Sequence, residues 1–137
     1  MKVLVDTSVW SLALRRTKTA GEDEKLVEEL KDLIRDLRVL MIGPIRQEIL
    51  SGISDEEKYE ELKDKISVFH DEVLGSEDFE LAAKFSNECR KNGIQGSHTD
   101  FLICAFAVRS ESAIFTVDKD FEMYKEYLPI TLHKKGN

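Results

Sequence analysis

Three short apolar runs without polar alternation constrain the fold of this chain more than any other feature. They are Val3–Val5, Val39–Ile42 and 113–117, and each is too short to form a helix of ordinary length. A strand that is covered on both faces carries apolar residues at consecutive positions, as strands of a parallel sheet do. The runs therefore predict buried parallel strands. Segments 72–74 and 130–132 are weaker candidates of the same kind.

Segments with helical periodicity separate these runs. In three of them apolar residues recur every three or four positions, and a fourth is apolar on all sides, which is typical of a central buried helix. They are 26–37, 59–66, 81–89 and 101–108. In addition, Pro44 after Gly43 predicts a helix from 45 to about 53. Strands alternating with helices predict an α/β/α sandwich with a mainly parallel five-stranded sheet, and no linker divides 1–137, so we expect one domain.

Composition limits the classes of function. A formal net charge of −7 argues against broad electrostatic binding of nucleic acid, so a phosphate-bearing substrate must meet a local basic patch or a metal ion. Cys89 and Cys104 lie in apolar helical patterns, which predicts reduced core residues and no zinc site. An acid at position 6 and the absence of a long apolar run predict a cytoplasmic protein without a signal peptide or membrane span.

Four acidic residues follow or adjoin the predicted strands. Asp6 ends the first strand, Asp118 follows the run that begins at Ala113, and Glu48 lies shortly after the second strand. Asp100 falls in the first turn of the apolar helix. Ligands of parallel α/β sheets bind beyond the carboxyl ends of the strands. If the first and fourth strands are neighbours, all four side chains can face one cavity.

Each acid also has a purely structural interpretation. Asp6 and Asp118 could cap the helices that follow, Asp100 completes a capping-box pattern with Ser97, and Glu48 could be a solvated helix residue. Taken singly, these interpretations are as good as a metal site. Taken together they are weaker, because four carboxylates at one sheet edge raise each other's pKa unless a cation compensates. Ligand sets made only of oxygen favour Mg²⁺ or Mn²⁺, the ions of phosphoryl displacement.

Four sequence motifs run in order along nearly the whole chain. They are Asp6-Thr7-Ser8-Val9-Trp10, Pro44-Ile45-Arg46-Gln47-Glu48-Ile49-Leu50, Asp100-Phe101-Leu102-Ile103-Cys104-Ala105 and Thr116-Val117-Asp118-Lys119-Asp120-Phe121. In these motifs the chain resembles the PIN-domain nucleases, and among them the VapC-like toxins of bacterial and archaeal toxin–antitoxin pairs. The first and last motifs are the more specific.

The resemblance implies a parallel strand order 3-2-1-4-5 and an acidic pocket that binds Mg²⁺ or Mn²⁺ for endonucleolytic cleavage of RNA. It assigns the metal-binding and catalytic roles to Asp6, Glu48, Asp100 and Asp118. By the same resemblance Ser8 and Thr116 support these residues. Asp118 and not Asp120 matches the family position, so Asp120 is expected at most to assist through water. From its position, Asp120 is expected mainly to cap a short helix that begins at Phe121.

The resemblance also implies partners: an RNA substrate, a second copy of the chain in a homodimer, and an antitoxin that lays a basic side chain against the acids. Helices near Trp10 and 26–37 are the expected contact surfaces. Arg15, Arg16 and Lys18 are candidates for contact with the RNA backbone, although a solvated helix end explains them equally well.

Two alternatives belong to other functional classes. The first is a PIN scaffold without catalytic activity that serves as a binding or assembly module, against which the presence of all four acids argues. The second is a phosphohydrolase with an aspartyl nucleophile, whose first strand normally ends in Asp-x-Asp. Here Thr7 and Ser8 follow Asp6, so the second Asp of that pattern is missing.

Overall fold

Strands separated by one or two helices make up the described part of the chain. A computed structural model describes residues 1–14 and 20–134. The strands are β1 Val3–Val5, β2 Val39–Ile42, β3 Asp71–Glu72 and β4 Ala113–Phe115. The helices are α1 Thr7–Leu14, α2 Glu22–Arg35, α3 Gly43–Leu50, α4 Glu56–Ile66, α5 Ser76–Lys91, α6 His98–Arg109 and α7 Asp120–Lys125. The candidate RNA contacts Arg15, Arg16 and Lys18 lie outside the described residues.

The strands form a parallel sheet in the order β3-β2-β1-β4. Val3 is in register with Val39 on one side and with Ala113 on the other, so β1 lies between β2 and β4. The predicted α/β class with a parallel sheet is confirmed. Because β1 and β4 are neighbours, the residues that follow Val5 and Phe115 emerge side by side at one edge of the sheet.

The predicted fifth strand is reduced to a single parallel bridge between Ile114 and Leu132. Ile114 donates to Thr131 O at 2.8 Å and accepts from His133 N at 2.7 Å. Successive residues of a strand direct their peptide groups to opposite sides. In the three-residue β4, the first and last residues face β1, so Ile114 alone faces outwards. The described part of the chain therefore contains four strands, with the bridge in the fifth position.

Several element boundaries differ from the prediction. The strand expected at 72–74 lies at Asp71–Glu72, and Val73 beyond it is 87% exposed. The run 113–117 leaves the sheet after Phe115, and the helix that begins at Gly43 ends at Leu50. Leu37, expected on the buried face of a helix, follows the end of α2 with a φ of 58° and is 79% exposed. Its backbone makes the turn into β2 that a longer helix would prevent.

The core lies between the sheet and the helices. All of β1 is buried, and α6 buries Phe101 and the five residues from Ile103 to Ala107, as expected for its apolar sequence. Cys89 and Cys104 are free and buried, as predicted. Trp10 is also buried, edge to face with Phe69 at 5.2 Å between ring centroids. The Trp10 side chain therefore offers no surface to a partner, while the contact surface expected on the helix near it stays a prediction. No helix within residues 1–14 and 20–134 could span a membrane.

Helices α5 and α6 are antiparallel and are joined at one end by an ion pair whose carboxylate is buried. Asp78, fully buried in the first turn of α5, accepts from Gly75 N at 2.9 Å and from Arg109 Nη1 at 2.5 Å. Arg109 is the last residue of α6. An unpaired buried carboxylate would be costly, so this contact fixes how the two helices lie against each other. The opposite ends, around Arg90 and Asp100, lie near the edge of the sheet where Asp6 emerges.

Candidate active site

Asp6 is the innermost acid at this edge of the sheet, with an exposed fraction of 5%. Its backbone N–H donates to Phe115 O at 2.9 Å, which continues the pairing of β1 with β4. The hydroxyls of Ser8 and Thr116 donate to Asp6 Oδ2 at 2.7 and 2.8 Å. Both donors bind the same oxygen. The other carboxylate oxygen, Oδ1, accepts no hydrogen bond from the described residues and is available to a ligand.

Asp118 is positioned by the turn that follows β4. Its backbone N–H donates to Thr116 Oγ1 at 3.0 Å, so one hydroxyl contacts both Asp6 and Asp118. Asp118 Oδ1 accepts from the backbone N–H of Asp120 at 2.9 Å and so opens α7. The capping role expected of Asp120 is therefore wrong: Asp120 is the first residue of the helix, and Asp118 makes the side-chain bond at its start.

Asp100 reaches the site from the first turn of α6. Ser97 caps this helix, because its hydroxyl accepts from Asp100 N at 3.0 Å. The carboxylate of Asp100 accepts a 2.5 Å hydrogen bond from the hydroxyl of Tyr124. Of the two bonds of a capping box, the one to the Ser97 hydroxyl is therefore present. The acid of the motif, Asp100, takes part in the site instead.

Tyr124 was missed by the sequence analysis. It lies three residues after Phe121 in α7, and both residues are buried, so the pattern indicates only core packing. Its ring packs against Phe101 and Phe121, each at 5.2 Å between centroids. The one feature of the sequence that could have pointed to Tyr124 is that a buried tyrosine hydroxyl needs a hydrogen-bond partner. That this partner is Asp100 follows only from the packing of α7 against α6.

Three acids converge most closely. One carboxylate oxygen each from Asp100, Asp118 and Asp120 lies within 4.8 Å of the others. Burial raises the pKa of Asp100, and the negative charges of Asp6 and Asp118 raise it further, while hydrogen bonds from Tyr124 and Ser97 act in the opposite direction. The negative charges of the site therefore destabilise the ionised form of Asp100.

Glu48 lies beside this cluster without joining it. Its Oε1 accepts from the hydroxyl of Thr7 at 2.7 Å, and Thr7 directly follows Asp6. The contact brings the middle of α3 to the start of α1, next to the end of β1. Thr7 was not among the predicted site residues, because a threonine after a strand is commonplace.

A family profile for the PIN domain matches residues 3–127. The chain belongs to the PIN domain family. It is 32% identical over 128 residues to a VapC ribonuclease of Mycobacterium bovis and equally to ribonuclease VapC11 of Mycobacterium tuberculosis. Each alignment covers 88% of this chain and 90% of the relative.

Solved structures share the fold of this PIN domain. FitAcB from Neisseria gonorrhoeae matches with a TM-score of 0.76 at 17% identity, covering 96% of both chains. VapBC2 from Rickettsia felis, bound to a DNA fragment from its promoter, matches with a TM-score of 0.75 at 13% identity, covering 97% of this chain and 98% of that one. At such low identity these likenesses concern the fold alone.

The acids of this PIN domain fit a divalent cation of the Mg²⁺ or Mn²⁺ class. Mg²⁺ takes oxygen ligands at about 2.1 Å, so opposite ligands lie roughly 4.2 Å apart. The cluster of Asp100, Asp118 and Asp120, within 4.8 Å, needs little movement to reach this spacing. The three clustered ligands are all carboxylate oxygens, the donor type that a hard cation prefers. A bound cation would also offset the charge that raises the pKa of Asp100.

The structure therefore rearranges the predicted set of acids. Asp6, Asp100 and Asp118 lie together at the carboxyl ends of β1 and β4, and Asp120, expected only to assist, is part of the tightest cluster. Glu48 contacts Thr7 at the margin. Ser8 and Thr116 contact the acids directly through their hydroxyls.

Proposed function

We propose that this PIN domain is a metal-dependent endoribonuclease that acts in the cytoplasm as the toxin of a toxin–antitoxin pair. The observation that carries the proposal is the cluster of Asp100, Asp118 and Asp120 within 4.8 Å, next to the buried Asp6. The relatives from Mycobacterium are named as ribonucleases, and they are 32% identical to this chain over an alignment that covers 88% of it.

The side chains divide into those that would hold the cation and those that position them. Asp6, Asp100, Asp118 and Asp120 would bind Mg²⁺ or Mn²⁺, with Glu48 at the margin. A bound ion of this class supplies a hydroxide nucleophile and stabilises the charge that develops on phosphate oxygens. Ser8 and Thr116 fix Oδ2 of Asp6 and leave Oδ1 for the ligand. Tyr124 orients the carboxylate of Asp100 in the same way.

We further propose a homodimer and an antitoxin that places a basic side chain against the acids. Within residues 1–14 and 20–134, no Lys or Arg forms an ion pair with Asp6, Asp100, Asp118 or Asp120. A cation from a partner would relieve the same repulsion that a metal relieves. Light scattering that shows a dimer, and a small basic partner that copurifies, would support this. A monomer at every concentration without a partner would remove it.

The decisive test is cleavage of structured RNAs by the purified chain with and without Mn²⁺. We expect internal cleavage that requires the metal and is lost in Asp118→Asn. The matched control is Asp32→Asn, which neutralises an exposed acid in α2 that pairs with Arg35. Helix α2 ends just before β2 begins, so Asp32 lies near the opposite edge of the sheet. Failure to cleave any RNA in Mn²⁺ would favour a PIN scaffold that only binds.

A further inference from the structure

Helices α5 and α6 leave a groove between them. Its apolar part is a cavity of about 380 Å³ lined by side chains that include Phe79, Ala82 and Leu102. Its polar part, about 300 Å³, is lined by residues that include Gln95 and Gly96. Ser86, Arg90 and Phe101 line both parts, so the two are continuous. Ligand sites commonly combine an apolar pocket of a few hundred Å³ with a few polar groups.

The polar end of this α5–α6 groove adjoins the acid cluster. The backbone of Gly96 packs against Tyr124 so closely that an added methyl group would overlap the tyrosine hydroxyl. That hydroxyl donates to Asp100 at 2.5 Å. One side chain therefore separates the groove from the candidate metal ligands. A strand bound at the acid cluster would therefore lie close to the polar end of the groove.

Arg90 gives the groove a charge opposite to that of the acids. Its guanidinium forms no ion pair or hydrogen bond with any residue in the described ranges, whereas Arg46 and Arg109 each pair with a carboxylate. In a chain with a net charge of −7, an unpaired arginine in a groove is a local exception. The acids themselves repel phosphates, so a cation outside the cluster helps to hold a nucleic-acid backbone in addition to any metal that the acids bind. A guanidinium is well suited to bind phosphate oxygens.

Phe79 gives the apolar part an accessible aromatic ring. The side chain is 52% exposed, although it lies on the same stripe of α5 as the buried Ala82. His98, exposed at the start of α6, lines the same cavity. Bases of single-stranded nucleic acid stack on such rings with little dependence on sequence.

We propose that the α5–α6 groove binds single-stranded RNA next to the phosphodiester that is cleaved. Arg90 contacts a backbone phosphate in the polar part, and an unpaired base enters the apolar part against Phe79, with His98 at its rim. This inference rests on the proposed ribonuclease function, because it names how that same site holds its substrate.

The first test measures how salt affects RNA binding. A fluorescent single-stranded RNA is titrated with the Asp118→Asn protein, chosen to prevent cleavage, over a range of KCl concentrations. With Arg90→Gln added, binding weakens and the slope of log K against log salt falls by about 0.7, the contribution of one phosphate contact on a single strand. The control is Arg35→Gln, which removes the same charge at the end of α2. It should leave the slope unchanged.

The second test separates stacking from charge. Phe79→Ala is expected to weaken binding about tenfold without changing the salt slope, because base stacking involves no phosphate charge. Replacing the RNA with one that contains abasic positions should abolish the difference between the two proteins. Val68→Ala, at an apolar residue that is 78% exposed outside the groove, is the matched control and should bind as the parent does. Melting temperatures establish that all variants fold.

Parent-like RNA binding and salt slopes in both Arg90→Gln and Phe79→Ala would overturn the proposal. The proposal would also be overturned if these variants bound RNA like the parent but differed from it in oligomeric state by light scattering. That result would assign the groove to a protein interface. The proposed function fails separately: if the wild-type chain cleaves no RNA in Mn²⁺, that function is lost. The binding measurements still test whether the groove binds RNA, because a reduced salt slope in Arg90→Gln supports RNA binding there even if no RNA is cleaved.

Discussion

The hydroxyl of Tyr124 donates a 2.5 Å hydrogen bond to Oδ2 of Asp100. The bond joins α7 to the first turn of α6. Burial raises the pKa of Tyr124, and the bond to Asp100 raises it further. The phenol therefore stays protonated at neutral pH and serves only as a donor. Its effect is to hold one oxygen of Asp100 and to direct the carboxylate towards Asp118 and Asp120.

Replacing Tyr124 with Phe keeps the ring packing and removes this donor. We expect a loss of about 1 kcal/mol in the free energy of unfolding, the usual contribution of one hydrogen bond. RNA cleavage should fall, and more Mn²⁺ should be needed for half-maximal rate, because Asp100 is less well positioned. Rates measured across a Mn²⁺ titration test this. An unchanged metal dependence would show that the hydroxyl is only structural.

Asp100→Asn tests whether the carboxylate is a metal ligand. Cleavage should fall by orders of magnitude, because the substitution removes the charge that holds the cation. Without metal, stability should hold or rise by up to about 1 kcal/mol, since a mutually repelling carboxylate is neutralised. The raised pKa of Asp100 means that its ionised form is destabilised in the folded state. Any gain should therefore shrink as the pH falls and the wild-type carboxyl becomes protonated.

Ser97→Ala is the structural counterpart at the same helix end. It removes the hydroxyl that caps α6 and should cost about 1 kcal/mol of stability. Its effect on cleavage should be much smaller than that of Asp100→Asn, since the charge remains. Chemical denaturation and cleavage assays on the same preparations compare the two variants. A destabilised Asp100→Asn that cleaves like the wild type would show that Asp100 has only a structural role.

Divalent metal should stabilise the folded chain. A ligand that binds only the folded state adds RT ln(1 + [L]/Kd), about 2.7 kcal/mol at a hundredfold excess over Kd. We expect the melting temperature to rise at millimolar Mn²⁺ in the wild type and in Asp32→Asn. The rise should be lost in Asp118→Asn. No rise in the wild type would contradict a metal site formed by these acids.

Asp118 is expected to matter more for cleavage than Asp120. Asp118 is half-buried and shares Thr116 with Asp6, whereas Asp120 is exposed and screened by water. Asn at position 118 can still accept the N–H of Asp120, so Asp118→Asn tests charge alone. Because Asp120 belongs to the tightest cluster, Asp120→Asn should still reduce the rate measurably. Equal losses in the two variants, measured as kcat/KM, would contradict this ranking.

Gly96→Ala should disturb the site without touching an acid. The added methyl group would overlap the hydroxyl of Tyr124, which must then move away from Asp100. We expect lower stability and lower cleavage. Gly43→Ala, where an added methyl group meets nothing within 4 Å, is the matched control and should cleave like the wild type. A Gly96→Ala protein with wild-type stability and rate would show that the contact with Tyr124 is dispensable.

Boundaries set by local pattern were predictable. Strands β1 and β2 begin and end as the apolar runs indicate, and β4 begins at the predicted residue. The end of β4 was not predictable, because Thr116 and Val117 suit a strand as well as Phe115 does. They leave the sheet because the hydroxyl of Thr116 bonds Asp6 and Asp118.

The sequence by itself determined the fold class and three of the acids that converge. Its apolar runs, separated by helical patterns, are typical of parallel strands covered on both faces. Asp6, Asp100 and Asp118 lie near strand or helix ends because of their positions along the chain.

Only the tertiary structure decided which groups meet. Contacts between elements far apart in sequence bring Tyr124 to Asp100 and place Asp120 in the cluster. They also leave Glu48 at the margin of the site. The α5–α6 groove likewise arises from the packing of two helices. The physical reason is that local pattern fixes which face of an element is buried, whereas the distance between two side chains depends on how the elements pack.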